Sequence, residues 1–238
     1  MPGMTALGAS SAPVSAVRSR RLALTSILVP AAIAVALLAV ALLPLLTPWF
    51  MHPALDAGGS AAWLGTTSQT TYQLSDATVH DLVAGGDFAL TAPGGGSFYT
   101  VAEAAHMRDA RALLYAFVAL GLLSAVLVVA NVAVGRDRAG AWRLVRRGAG
   151  GLAVGVVVAG VIGFVAFEPA FELFHRIFFP GGNWAFDPAT SQLVRLYPYA
   201  FWQIAAGSLG VIAVGLASLT WWFSRRRAMA TADLRVPR

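Results

Sequence analysis

Two histidines each follow a glutamate at a spacing of three residues. These Glu-x-x-His pairs are Glu103/His106 and Glu172/His175. Residues three apart share one face of a helix, so each pair would set a carboxylate beside an imidazole. Two imidazoles on separate helices suit general acid–base catalysis, in which one takes a proton from a nucleophile and the other protonates a leaving group. The carboxylates would fix the histidine tautomers and raise their basicity.

Metal binding is the alternative chemistry for the same two pairs. A di-iron four-helix site carries this motif twice, with one further glutamate from each of the other two helices. The other two long apolar stretches, 22–46 and 197–224, contain no acidic residue. A single metal held by two histidines and a carboxylate stays open, although we predict no metal and no cofactor. Because the chain has no cysteine, thiolate metal sites and a cysteine acyl-enzyme are excluded.

Long apolar stretches must position these residues. Four of them, at 22–46, 112–135, 148–167 and 197–224, reach the length of about 20 residues that a bilayer core requires. Only 12% of the residues are charged, about half the share in a soluble domain. We predict an all-α polytopic membrane protein whose domain, 22–224, has four transmembrane helices. Outer loops at 47–99 and 168–196 would form a small extracytoplasmic cap.

The arginines predict the orientation of these helices. The arm at 1–21, the loop after the second span and the tail at 225–238 carry thirteen arginines against two aspartates. The opposite face carries four arginines against nine acidic residues. By the positive-inside rule, a disordered arm, the middle loop and the basic tail lie in the cytoplasm. We therefore predict a multi-pass protein of the bacterial cytoplasmic membrane, with the histidines outside, anionic lipids around the arginines and no nucleic-acid partner.

Local signals predict the helices that carry the histidines. Thr100 and Glu103 have capping-box spacing, so a helix should begin there and run into the second span. Glu168-Pro169 should end the third span and start a short helix, which Pro180-Gly181-Gly182 ends. In the first outer loop we expect a strand at 71–74 and a helix from Ser75 to Val83, ended by Gly85. Glycines of the third span predict close helix contacts: Gly151, Gly155, Gly160 and Gly163.

Three sequence motifs carry a resemblance to a known family. Residues 103–109 read Glu-Ala-Ala-His-Met-Arg-Asp, residues 174–186 contain Phe-His-Arg-Ile-Phe-Phe followed by Asn-Trp-x-Phe, and residues 197–201 read Tyr-Pro-x-x-Phe. The chain resembles the four-span integral membrane family that includes the bacterial lipoprotein intramolecular transacylase. The likeness covers most of the chain in topology, but its motifs lie at 103–111 and 171–201. Ala110 stands where the family tends to have valine, and the long outer loop is only weakly similar.

The resemblance implies an acyltransferase. Such an enzyme moves the sn-2 acyl chain of a diacylglyceryl-modified lipoprotein to the α-amine of the same lipid-bearing cysteine. Its expected residues are the catalytic His106 and His175, the supporting Glu103, Asp109 and Glu172, and the substrate contacts Glu168, Arg176, Asn183 and Trp184. Membrane lipids and lipoproteins are the expected partners. The alternative is a non-enzymatic membrane protein that binds a partner or lipid at its outer face; the choice of base and the roles of His52 and His80 stay open.

Overall fold

The computed structural model describes residues 12–135 and 137–233. Their helices are α1 (Ala12–Leu42), α2 (Pro48–Gly58), α3 (Ser60–Leu64), α4 (Ser68–Ala84), α5 (Val101–Val134), α6 (Arg138–Val165), α7 (Phe167–Phe178), α8 (Gln192–Leu196) and α9 (Tyr199–Asp233). A 3₁₀ turn, Leu43–Leu46, follows α1. Helices α1, α5, α6 and α9 are long and apolar enough to cross a membrane. The prediction of an all-α membrane protein with four spans is confirmed.

Helix α1 lies at the centre of the four-helix bundle. It packs against α5, α6 and α9, and α6 packs along α9. The backbones approach closely at two glycines: a Cβ on Gly148 would lie 2.6 Å from the Pro30 carbonyl oxygen, and one on Gly121 would lie 2.4 Å from the Ala39 Cβ. The expected contacts at Gly151, Gly155, Gly160 and Gly163 are wrong, because no described atom lies within 4 Å of a Cβ there. Those glycines face out of the bundle.

The first of the two predicted outer loops, 47–99, contains α2, α3 and α4. The strand expected at 71–74 is wrong, because these residues belong to α4. Helix α4 starts before Ser75, at Ser68, where the Thr67 hydroxyl accepts a hydrogen bond from the Thr70 N–H at 3.2 Å. Gly85, with φ of 93°, ends the helix as predicted.

Buried hydroxyl pairs fasten this cap to the bundle. The Ser75 Oγ lies 3.2 Å from the Tyr197 hydroxyl, just before α9, and the Thr78 Oγ lies 2.8 Å from the Tyr99 hydroxyl, just before α5. Burial raises the pKa of Tyr197 to about 12, so its hydroxyl stays neutral. Helix α4 is therefore tied to the residues just before α5 and α9.

The termini of the membrane domain are helical where the structure describes them. Helix α1 already begins at Ala12, within the arm expected to be disordered over 1–21. Helix α9 continues to Asp233, through most of the predicted tail at 225–238. The rest of the arm, 1–11, the end of the tail, 234–238, and Arg136 lie outside the described residues.

Candidate active site

The capping box at the start of α5 positions the first histidine. The Thr100 Oγ accepts from the Glu103 N–H at 3.2 Å, and the Glu103 carboxylate accepts from the Thr100 N–H at 2.7 Å. The predicted helix start is therefore confirmed. One turn further along α5, His106 points inward and is 8% exposed.

Helix α7 supplies the second histidine. Helix α6 ends at Val165, and α7 begins at Phe167 with Pro169 in its first turn, as predicted. His175 is 9% exposed, whereas the large apolar side chains on the other faces of α7 are exposed: Leu173, Phe174, Ile177 and Phe178. An amphipathic helix of this kind suits a membrane surface. Its exposed apolar side chains would face the lipid, and the buried His175 lies on the side that faces the protein.

The two imidazoles lie together in an aromatic pocket. Their ring centroids are 6.0 Å apart and their planes differ by 30°. Phe179 contacts both rings, at 4.7 Å from His106 and 5.6 Å from His175. Phe186 lies 5.8 Å from His106, and Trp184 lies 5.0 Å from His175. Electrostatic interactions are stronger in such a pocket than in water, because the rings exclude solvent.

The hydrogen bonding of His175 fixes its tautomer. Its Nδ1 lies 2.8 Å from the Phe171 carbonyl oxygen, which can only accept, so Nδ1 carries the proton. The lone pair of the neutral ring is then at Nε2. Burial lowers the pKa of His175, and the bond to Phe171 opposes that shift in part. The His175 ring is therefore neutral at pH 7, with Nε2 as its accepting atom.

The two glutamates bond to other groups. The Glu103 carboxylate is 1% exposed and accepts from the Ser191 Oγ at 2.6 Å and the Leu193 N–H at 3.0 Å, besides Thr100. Glu172 is exposed and accepts from Arg176 at 3.1 Å. The expected hydrogen bonds from the histidine N–H groups to these carboxylates are not formed among the described residues. Glu103 instead ties the start of α5 to α8.

The remaining expected residues divide into two groups. Asp109 accepts from the Asn183 side-chain amide at 2.6 Å, which fastens the loop after α7 to α5 one turn beyond His106. With Trp184, these residues lie around the histidine pair. Glu168 and Arg176 are exposed on α7, together with Glu172. The structure thus brings together His106, His175, Asp109, Asn183 and Trp184. It leaves Glu168, Glu172 and Arg176 on the surface and buries Glu103 between α5 and α8.

Comparison with known proteins identifies the family. The sequence model described as "Lipoprotein intramolecular transacylase Lit" matches residues 67–202, more than half of the chain, and this range includes both histidines. The chain belongs to the Lit family.

Solved structures of the Lit family share the fold. The membrane integral lipoprotein intramolecular transacylase Lit from Bacillus cereus aligns with a TM-score of 0.74 and 18% identity, over 90% of this chain and 99% of that chain. A structure of the same Bacillus cereus protein with a histidine mutation aligns with a TM-score of 0.69 and 16% identity, over 95% and 100% of the two chains. No curated protein sequence matches this chain significantly. At these identities the alignments establish a common fold.

Sequence reasoning missed several residues of the site in this Lit family member. Phe179 and Phe186 enclose His106, and Ser191 binds Glu103, yet none of them was expected to have a role at the site. Ser191 caps α8 by accepting from the Val194 N–H at 3.2 Å, but no motif in the sequence pointed to this short helix.

The other two histidines lie apart from the pair. The His52 Nε2 lies 2.9 Å from Asp76, and its ring stacks on Tyr72 at 4.1 Å, between α2 and α4. The His80 side chain is 75% exposed, beside Asp81. In the described part of the chain, no three His, Asp or Glu side chains are placed to hold a metal ion.

Proposed function

We propose that this protein is a lipoprotein intramolecular transacylase. It would move the sn-2 acyl chain of a diacylglyceryl lipoprotein to the amine of its own N-terminal cysteine. The observation that carries the proposal is the buried His106–His175 pair, with ring centroids 6.0 Å apart in an aromatic pocket. Membership of the Lit family supplies the substrate class.

The reaction requires two proton transfers. The ammonium first loses one proton to become a nucleophilic amine. Its nitrogen attacks the sn-2 ester carbonyl carbon, forming the new C–N bond, and the C–O bond to glycerol then breaks. A second proton passes from nitrogen to the glycerol oxygen, so the products are an amide, a free hydroxyl and one released proton. A base and a proton carrier on opposite sides of the carbonyl would serve both steps.

The histidines are suited to these roles. His175 would act as the base, because its Nδ1–H is committed to Phe171 and its neutral Nε2 can accept. His106 would carry the second proton to the glycerol oxygen. With hydrogen bonds of about 2.6–3.2 Å, one reacting centre can contact both rings at this separation. The amine and the ester belong to one molecule, which lowers the entropic cost of bringing them together.

Other side chains would contact the substrate from two sides. Trp184 and Asn183 lie beside the histidine pair and would line the acyl ester, with Asp109 holding Asn183 in place. Glu168 and Arg176 are exposed on α7 and would meet the charged parts of the substrate near the membrane surface.

The arginine distribution supports an extracytoplasmic site. The start of α6 and the last part of α9 lie together, because Trp142 contacts Phe223. Both segments carry several arginines and lie at the end of the bundle far from the histidines. The positive-inside rule assigns that end to the cytoplasm. In a bacterial cytoplasmic membrane, His106 and His175 would then lie at the outer leaflet, where lipoproteins are anchored.

The test is mass spectrometry of lipoprotein N-terminal peptides from cells that lack another N-acyltransferase. We expect the wild-type protein to convert the diacyl form to the N-acylated lyso-form. His106→Ala and His175→Ala should each reduce conversion by about 10²–10⁴-fold, the usual contribution of an acid–base group. His80→Ala, which alters an exposed histidine outside the site, is the matched control and should leave conversion unchanged.

Two results would contradict the proposal. One is a wild-type protein that leaves the diacyl form unaltered; the other is a His106→Ala variant that still forms the lyso product at the wild-type rate. If His175→Gln kept every cellular phenotype of the protein, the non-enzymatic binding role would replace the transacylase.

A further inference from the structure

Three consecutive arginines at the end of α9 each stack on an aromatic ring. The guanidinium carbons of Arg225, Arg226 and Arg227 lie 5.6, 3.9 and 5.0 Å from the ring centroids of Trp221, Trp222 and Phe223, respectively. Each pair has i,i+4 spacing, which brings two side chains to the same face of a helix. The three arginines are exposed. In the part of the chain whose side chains are described, no carboxylate pairs with them.

The middle pair faces away from the rest of the bundle. Trp221 packs on α6, since a Cβ on Gly150 would lie 3.3 Å from its ring, and Phe223 contacts Trp142 of α6 at 5.7 Å. Successive residues of a helix are rotated by about 100°. Trp222 is about 100° from both Trp221 and Phe223 around the helix and therefore points to the side opposite α6, where it is 49% exposed. Arg226, which has the shortest stacking distance of the three, covers this outward ring.

Stacking on a ring leaves the binding edge of an arginine free. The aromatic face contacts the flat side of the guanidinium, whereas its N–H groups lie in the plane and point outward. That edge matches two oxygens of a phosphate group. The ring beneath restricts the rotamers of the long side chain, so less conformational freedom is lost on binding. Tryptophan itself prefers the headgroup level of a membrane.

We propose that the end of α9 is a binding site for the phosphodiester headgroups of anionic phospholipids, with Arg226 on Trp222 as its principal contact. Phosphate oxygens would accept from the guanidinium edge, while the indole would lie against the glycerol and upper acyl chain. A lipid fits this site better than a soluble anion, because the site joins a cation to an exposed apolar ring. The proposal concerns the bundle end opposite the histidines and does not depend on the proposed acyl transfer.

Native mass spectrometry of the purified full-length protein tests this inference. The protein in detergent is mixed with equal amounts of phosphatidylglycerol and phosphatidylcholine that have the same acyl chains. We expect phosphatidylglycerol adducts to predominate. Arg226→Gln should weaken phosphatidylglycerol binding about five-fold, the value of one arginine near an anionic surface. Trp222→Leu should weaken it about two- to five-fold, because the cation loses its aromatic support.

A matched control separates a site from a general charge effect. Arg138 is exposed at the start of α6, and no aromatic ring stacks on it among the described residues. Arg138→Gln should therefore change lipid retention much less than Arg226→Gln. Equal losses in the two variants, or equal retention of both lipids by the wild-type protein, would overturn the proposal. Displacement of phosphatidylglycerol by millimolar inorganic phosphate would overturn the choice of a lipid as the ligand, and size-exclusion profiles would verify that each variant is folded.

Discussion

Replacing Glu103 by glutamine should destabilise the outer cap. The carboxylate is 1% exposed and accepts from four donors: the Thr100 N–H and hydroxyl, the Ser191 hydroxyl and the Leu193 N–H. A glutamine has the same size but only one acceptor oxygen, and its NH₂ group donates. In either amide orientation, one backbone N–H, of Thr100 or of Leu193, would face that NH₂ group and lose its acceptor.

The size of the effect follows from that lost acceptor. A hydrogen bond to a charged group contributes about 1.5–3 kcal/mol, and an unsatisfied buried donor costs a similar amount. We therefore expect Glu103→Gln to lower the free energy of unfolding by about 2–3 kcal/mol. The measurement is thermal or denaturant unfolding of the purified protein in detergent micelles.

A second acidic residue provides the control. Glu172 forms an exposed i,i+4 pair with Arg176, and such pairs contribute about 0.3–0.5 kcal/mol. Glu172→Gln should thus unfold almost like the wild type. If Glu103→Gln were equally stable, the argument that this carboxylate joins α5 to α8 would be refuted.

Two further predictions concern the proton chemistry and the bundle. Burial lowers the pKa of His175 from its ordinary value of 6.5. If His175 is the base, the fall in kcat/KM on the acid side of the pH profile should therefore have its midpoint below pH 6.5. Trp184→Ala would admit water to the His175 ring and should move that midpoint upward. An unchanged midpoint would contradict the argument that desolvation lowers the pKa of His175. Gly148→Ala would force its Cβ against Pro30 and should cost about 1–3 kcal/mol in an unfolding assay. Gly151→Ala, where no described atom lies within 4 Å, should have little effect, and equal losses in the two variants would refute the packing argument.

Much of the fold could be predicted because its signals are local. Backbone groups in lipid must bond within their own segment, so long apolar stretches become helices. The capping box at Thr100 and the break before Pro169 depend on neighbouring residues alone. The position of both histidines near helix ends followed from these signals.

The predictions that were wrong share one physical cause: each concerned a feature that depends on tertiary contacts. Thr71 and Tyr72 favour strands by propensity, yet Thr71 is buried in α4 and Tyr72 stacks on His52. The glycine contacts were misassigned because lipid is as apolar as a helix interface, so composition does not show which face of α6 meets α1. The role of Glu103 depends on Ser191 and Leu193, which lie about ninety residues away along the chain.

The distance between two aromatic residues of α9, Tyr199 and Trp222, can be compared with the thickness of a bilayer. Tyr199 begins α9 and lies against Phe167, and the Trp222–Arg226 pair lies in the last third of the helix. The 23 steps from Tyr199 to Trp222 span about 35 Å at 1.5 Å per residue, somewhat more than the roughly 30 Å of a typical hydrocarbon core. A tilt of the helix in the bilayer would absorb the difference. A change in membrane thickness would change that tilt, and with it the depth of His175 on α7 relative to the lipid headgroups.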